Sequence, residues 1–302
     1  MRRLFVLLTV TLIGLSGAQI PAQAGGRNQP IIGDLNGDHR PDRATLGRVA
    51  GTSTCTVSVE TRRADGTYQP PVLHSYTSPY TVEPKCPDMG VAVDLKGDGV
   101  TELVTTNFYS YSAEDLLVLR RFRPVARYDG LNMPSTIETA DFNGDGLGDI
   151  WESTDQSMNV RALLSTATGA IVPGPFSVCS QGSVPQHYFA DYNGDGGQDM
   201  LVSRRCYLEA QDVSAEVYFG NGAPKAVLAA ASSSDGVKFE VYPIDLTSDG
   251  VLDAGVIERH TDGTVVVRHF RNDGTGAFTE VPALALLATP APYEVPAGTT
   301  HR

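Results

Sequence analysis

The chain has few of the residues that enzymes and metal–thiolate sites recruit. Its 302 residues include 4 cysteines, 6 histidines and 1 tryptophan. No CxxC or HxxxH spacing occurs, which speaks against a zinc site. GxSxG, HExxH and a phosphate-binding glycine loop are all missing, and with them the common hydrolase, metalloprotease and nucleotide signatures. The histidines (His39, His74, His187, His260, His269 and His301) are scattered and read as packing or surface residues. After the first two dozen residues no run is apolar enough to span a bilayer. Positive charge is scarce too: 23 Lys and Arg against 35 Asp and Glu give a net charge of −12. That balance argues against a nucleic-acid partner. The basic run RRFRPVAR (120–127) reads instead as a solvated outer strand.

What the chain has is one nine-residue pattern, five times over. It is plainest in DYNGDGGQD (191–199) and recurs as DLNGDHRPD (34–42), DLKGDGVTE (94–102), DFNGDGLGD (141–149) and DLTSDGVLD (245–253). Oxygen-bearing side chains stand at the first, third, fifth and ninth positions, and the seventh can offer its carbonyl. That is an oxygen-only donor set of the kind calcium takes. Glycine at the sixth position lets the backbone turn at positive φ. The first aspartates are 60, 47, 50 and 54 residues apart, a spacing that marks a repeat architecture. An EF-hand would place helices on both sides and Glu at position 12. Here position 12 is Thr45, Thr105, Glu152, Val202 and Val256.

The flanks read as strands. PIIG, VAV, IETA, YFA and YPI precede the loops, and RATLGRV, LVTTNFY, IWEST, MLVSRR and AGVIER follow them. A third apolar run comes next in each repeat (56–62, 116–122, 160–166, 215–220 and 264–270), then in most a glycine turn and a fourth short run. Four strands in roughly 50 residues is the size of one propeller blade. The apolar second position of every loop (Leu35, Leu95, Phe142, Tyr192, Leu246) is expected to pack inward as an anchor.

On these motifs the chain resembles the FG-GAP/VCBS repeats of integrin α-chain propellers and of many secreted bacterial proteins. The resemblance covers roughly residues 29–287. It implies an all-β propeller of five four-stranded blades, at about 29–90, 91–136, 137–186, 187–240 and 241–287, and it implies calcium. It supplies no ligand, because members of the family serve in adhesion, carbohydrate binding and protein binding. The expected ligand sets are Asp34, Asn36, Asp38 and Asp42; Asp141, Asn143, Asp145 and Asp149; and Asp191, Asn193, Asp195 and Asp199. Asp245, Thr247, Asp249 and Asp253 form a marginal set, with Ser248 in place of a glycine. In Asp94, Asp98 and Glu102 the third position is Lys96, an ammonium that would repel a cation and could itself neutralise the carboxylates. His39, at the sixth position of the first loop, must carry a strained turn.

The opening MRRLFVLLTVTLIGLSGAQIPAQAGG has the layout of a signal peptide (1–24) cleaved before Gly25, so the chain is expected to be secreted, with no membrane span afterwards. Loss of Arg2 and Arg3 takes the net charge from −12 to −14, and the five loops hold 15 of the acidic residues. Residues 288–302, rich in Pro, Ala and Thr, read as a loose tail. The even cysteine count of an exported chain points to disulfides, Cys55–Cys86 and Cys179–Cys206 being the pairings nearest in sequence. Glu152 and Asp155 beside Trp151 are the one carboxylate pair that could suit glycoside hydrolysis, against a reading of Trp151 as core. Phe108, Tyr109, Tyr111, Tyr76 and Tyr80 could face a sugar or protein surface or pack between blades. The sum is a non-catalytic, calcium-stabilised binding module for an extracellular glycan or protein. The alternatives are a cell-envelope component and an enzyme acting on polysaccharide.

Overall fold

The computed structural model describes residues 24–80, 86–108, 116–131, 133–154, 160–179, 186–207 and 209–282. The expected signal sequence up to residue 23, Tyr109, Tyr111, Asp155, His301 and the 288–302 tail lie outside them.

The described chain is all-β. Its alternating apolar residues form five antiparallel sheets, each with its four long strands in chain order. The first sheet is Ile31–Gly33, Asp42–Arg48, Thr54–Glu60 and Val72–Thr77. The second is Met89–Val93, Glu102–Thr106, Leu116–Arg120 and Arg123–Tyr128. The third is Thr136–Ala140, Asp149–Ser153, Val160–Ser165 and Ile171–Val178, with the two-residue strand Ala24–Gly25 added at its first edge. The fourth is Gln186–Ala190, Asp199–Arg205, Val213–Tyr218 and Ala226–Ala231. The fifth is Val237–Ile244, Asp253–His260, Val265–Asn272 and Phe278–Val281.

Each acidic loop joins the first two strands of a sheet, and its ninth residue opens the second strand. Gly33 faces Asp42, Val93 faces Glu102, Ala140 faces Asp149, Ala190 faces Asp199 and Ile244 faces Asp253. The ninth residue is therefore buried in every repeat. At the second position Leu95, Phe142 and Tyr192 are fully buried, and Leu35 packs against the core from a half-buried place.

Neighbouring sheets pack face to face, because each strand alternates one apolar side with another and a buried sheet needs cover on both faces. Leu103, Leu117 and Leu119 of the second sheet meet Ile31, Ala44 and Val57 of the first. Val91, Val104 and Val118 meet Ile137, Ile150 and Leu163 of the third. Trp151 and Ala162 meet Met200, Val202 and Tyr218 of the fourth. Leu201, Ala215 and Val217 meet Val241, Val256 and Phe270 of the fifth.

These interfaces correct the expected closed five-bladed propeller. A ring of five sheets has five interfaces, but the described residues form four, and none joins the first sheet to the fifth. The sheets are separate and none is closed, so the arrangement is an open, sandwich-like stack. The repeat motif specifies each sheet and its contact with the next. Closure depends on one contact between the two ends, which no local motif encodes.

Candidate metal loops

In each loop the carboxylates and the backbone organise one another. The first aspartate folds back over the turn: Asp141 accepts the Asp145 N–H at 3.2 Å and the Gly146 N–H at 2.9 Å. Asp191 likewise accepts from Gly194 at 2.7 Å and Gly196 at 3.0 Å. The third-position amides act alike, since Asn36, Asn143 and Asn193 each donate to the fifth carboxylate at 3.0 Å. The fourth and sixth positions both take positive φ in all five loops. Glycine fills eight of these ten places, and the exceptions are His39 (φ 61°) and Ser248 (φ 57°). Left-handed backbone costs a side chain about 1 kcal/mol or more. His39→Gly is therefore expected to raise the melting temperature by about 2–4 °C, corresponding to about 1 kcal/mol, in a thermal melt. His39 is exposed, so no contact in the core is lost with it.

The ninth carboxylate does something the sequence does not announce. One of its oxygens accepts the N–H of the loop's second residue. In four of the loops the other reaches the chain at the end of the third strand or just past it. Asp149 accepts from Phe142 and Ser165 at 2.8 Å each. Asp199 accepts from Tyr192 at 2.8 Å and Gly220 at 2.9 Å. Asp253 accepts from Leu246 and Asn272 at 2.7 Å each, and Asp42 from Leu35 and Arg62. This staple accounts for the acid in these four loops; in the remaining one Glu102 accepts the Leu95 N–H at 3.1 Å and turns its other oxygen to Arg120. Among the described residues, no three His, Cys, Asp or Glu side chains are gathered as a metal-holding group.

The five loops differ in how their charge is met. In the Asp94 loop Arg120 bridges Asp98 at 2.6 Å and Glu102 at 3.0 Å. The main counter-charge there is Arg120, with Lys96, whose stem packs on Gly169 in the turn of the third sheet, adding a smaller share at Asp98. In the Asp34 loop Arg40 pairs with Asp38. Beside the Asp245 loop, hydrogen bonding from Thr247 and the charge of Arg271 hold Asp249 below the usual carboxylate range.

The Asp141 and Asp191 loops have no such ion pair among the described residues, and they abut. The Gln198 N–H donates to the Asp141 carbonyl at 2.6 Å, and the Gln198 side chain accepts the Asp141 N–H at 2.9 Å. Burial, reinforced by Asp145 and Asp141, pushes Asp149 up to about 7. Burial, reinforced by Asp195 and Asp191, pushes Asp199 up to about 6. Burial raises Asp141 as well. The three aspartates of each of these two loops have no side-chain ion pair among the described residues, and every donor is a hard oxygen. That chemistry fits a dication such as calcium.

The other sequence candidates fall into place around these loops. Trp151 and Glu152 are both fully buried and point to opposite faces of their sheet. Trp151 packs among Phe176, His187 and Phe189, whereas Glu152 accepts the Leu131 N–H at 3.0 Å. Neither reaches a surface where a glycoside could bind. Tyr76 is core beside Cys55 and Cys86. The Arg127 guanidinium lies over Tyr80, and Arg27 lies over Phe108. Disulfides join Cys55 to Cys86 and Cys179 to Cys206, each with 5.4 Å between Cα atoms. Two disulfides suit an oxidising compartment. Among the described residues no helix is long and apolar enough to cross a membrane.

Two buried charge groups carry no sequence motif. His187 lies 3.1 Å from Glu138 beside Trp151. Arg204 donates to both oxygens of Glu216 at 2.8 Å and to Glu209 at 2.8 Å, and Lys225 also reaches Glu216 at 2.9 Å. Burial alone would raise Glu216, but Arg204 and Lys225 overcome it and hold its carboxyl at about 2.

No family model and no curated protein matches the chain. Among solved structures it is similar to the rhamnogalacturonan lyase YesW (TM-score 0.47, 11% identity), covering 84% of this chain and 50% of that one. The exotype rhamnogalacturonan lyase YesX gives a TM-score of 0.45 at 14% identity, over 84% of this chain and 48% of that one. The Bacillus licheniformis rhamnogalacturonan lyase PL11 gives 0.32 at 15% identity, over 86% and 47%. The chain spans about half the length of these lyases, and at such scores the likeness carries nothing about activity.

Proposed function

We propose that the protein is an exported, calcium-stabilised, non-catalytic module that binds an extracellular glycan or protein. The observation that carries the calcium part is the abutting pair of loops at Asp141 and Asp191, whose six carboxylates have no cationic side chain paired with them among the described residues. Calcium would be held by Asp141, Asn143 and Asp145 in one loop and by Asp191, Asn193 and Asp195 in the other. Asp149 and Asp199 would add the lone pairs left free by their backbone bonds. The Asp34 and Asp245 loops, which have Arg40 and Arg271 close by, would bind more weakly, and Arg120 replaces the ion in the Asp94 loop. The loops sit at strand junctions within the sheets, so the ion supports the scaffold and the ligand binds elsewhere. This use of the loops is the one the FG-GAP/VCBS repeats make of theirs.

For a glycan the best-placed platform is Tyr207. It is 54% exposed, directly follows the disulfide-bonded Cys206, and has the Arg205 guanidinium 4.3 Å from its ring centre. An exposed aromatic ring of this kind can stack on the apolar face of a sugar. A glycan array run in calcium and in EDTA tests the reading. Binding in calcium alone is expected, and Tyr207→Ala should weaken it about tenfold, a loss of about 1.4 kcal/mol, with no change in melting temperature. Silence of the array in both buffers would remove the glycan and leave a protein ligand. Depolymerisation of any arrayed polysaccharide by the purified protein would overturn the non-catalytic reading.

A further inference from the structure

The outer hairpin of the second sheet is basic in a chain that is otherwise acidic. LLVLRRFRPVARY (116–128) holds Arg120, Arg121, Arg123 and Arg127 and no Asp or Glu, against a net charge of −12 for the whole chain. Its strands, Leu116–Arg120 and Arg123–Tyr128, pair through Arg120↔Arg123, which leaves Arg121 and Phe122 as a two-residue turn. Both turn residues take positive φ, 50° and 61°. Such a turn suits Asn-Gly, and bulky side chains persist there only where the surroundings hold them. Here the surroundings do so from two sides. The Phe122 ring stacks on His74 of the first sheet, with 4.4 Å between ring centres, and packs against the core between the two sheets. Arg120 is pinned to Asp98 and Glu102.

The fixed turn presents Arg121 and Arg123 to water on either side of Phe122. Neither has an ion pair among the described residues. Asp98 and Glu102 are already met by Arg120, and Glu60 of the first sheet by Arg43 at 3.4 Å. Arg127, also exposed, lies over the Tyr80 ring at 5.2 Å. It stands about 13 Å along the strand from Arg123, at about 3.3 Å per residue. Between these cations the surface is apolar. Val125 is 58% exposed, and Val72 on the outer strand of the first sheet is 57% exposed. Val72 and His74 face the second sheet, because their partners Val59 and Val57 pack into that interface.

Guanidinium forks match carboxylates in plane and in hydrogen-bond spacing. Forks set well apart, with apolar surface between them, fit a chain that carries carboxylates at intervals and presents the apolar faces of sugars between them. A nucleic acid has one charge per about 1.7 Å of its axis, far denser than these arginines, and is repelled by a molecule of this net charge. We propose that the outer seam between the first and second sheets binds a carboxylated polysaccharide. Arg121 and Arg123 take one carboxylate, Arg127 takes another, and Val72 and Val125 lie under the sugars between them. This rests on the glycan form of the proposed function, but not on Tyr207, which follows the second strand of the fourth sheet.

The test titrates labelled hyaluronate and short alginate chains with the full mature protein in calcium. Carboxyl-reduced hyaluronate, dextran sulfate, polyglutamate and duplex DNA are run beside them. At least one polyuronate should bind, and carboxyl reduction should weaken hyaluronate at least tenfold if that is the one. Arg121→Ala with Arg123→Ala should weaken polyuronate binding at least tenfold and flatten its salt dependence. Arg121→Asn separates binding from folding, because asparagine accepts the left-handed turn. It should melt at or above the parent and still bind at least threefold more weakly. Binding of neither polyuronate, or binding indifferent to these variants, would overturn the proposal. So would tighter binding of dextran sulfate, polyglutamate or DNA, which would give the seam to another class of anion. Array binding that Tyr207→Ala weakens and the double arginine variant leaves intact would overturn this site alone and keep the proposed function. Silence of every glycan would overturn both.

Discussion

In chelator the protein is expected to be most stable at mildly acidic pH and to weaken as pH rises through 7, and calcium should reverse that slope. The sign follows from Asp149 and Asp199, which burial raises to about 7 and about 6 from an ordinary 3.8. A group raised in the folded state contributes stability that is full below its unfolded value and lost as pH climbs through the folded one. With Asp149 some three units up and Asp199 about two, the loss between pH 4 and 7 is on the order of 4 and 3 kcal/mol respectively. Calcium binds the ionised carboxylates and only in the folded chain. At a thousandfold excess over Kd it restores about 4 kcal/mol per site. The melting temperature should therefore be insensitive to EDTA near pH 4 and differ by roughly 10 °C or more at pH 7. A sharper form uses Asp145→Asn with Asp195→Asn. Each amide keeps the Oδ1 that accepts the Leu147 or Gly197 N–H, gives up one exposed bond from Asn143 or Asn193, and removes a charge beside Asp149 or Asp199. The double variant should melt above the parent in EDTA at pH 7 and below it in calcium. Melting curves that ignore calcium at every pH would remove the metal from these loops. A calcium effect that survives the double variant would move it to another loop.

The parts of this molecule legible in the sequence are those set by short stretches of chain. The DxNxDGxxD spacing gave the loops, the alternation around them gave strands on both sides, and proximity of the cysteines gave Cys55–Cys86 and Cys179–Cys206. What was hidden needs partners that only register brings together. Arg120 reaches Asp98 and Glu102 from a strand well beyond the loop, so Lys96, two residues from Asp94, looked like the neutralising cation. The backbone-stapling role of the ninth aspartate is hidden because its partners, such as Gly220 for Asp199, lie a strand away. Glu152 and Trp151 looked like a site because adjacency in sequence hides the fact that they face opposite sides of a sheet. Closure of the stack was misjudged for the same reason. Each repeat encodes its own sheet, and nothing local states whether the first and fifth meet.

Glu216→Gln is expected to be among the most destabilising single changes outside the loops, by about 3–5 kcal/mol, because it strands a buried guanidinium. Arg204 and Glu216 have side chains only 2% and 3% exposed, and Glu216 is their common hub with Lys225. Without Glu216, Arg204 stays charged and out of water with only the half-exposed Glu209 as its carboxylate. Replacing both Arg204 and Glu216 by Leu should recover much of the loss, because desolvating an ion pair offsets most of its attraction. The exposed pairs Arg259–Glu240 and Arg268–Glu280 provide the contrast: breaking either should leave the melting temperature almost unchanged. The pH signature is opposite to that of the loops. Glu216 is held down at about 2 from 4.5. A depressed acid contributes stability that is present above its unfolded value and lost as pH falls through the folded one, here on the order of 3 kcal/mol between pH 4.5 and 2. In chelator the stability curve should thus fall on both sides of a maximum near pH 4, where the two limbs cross, the acid limb belonging to Glu216 and the neutral limb to Asp149 and Asp199. In Glu216→Gln the acid limb should flatten while the neutral limb and its calcium response stay unchanged. If the acid limb persists in that variant, the buried cluster is not what protects the fold from acid.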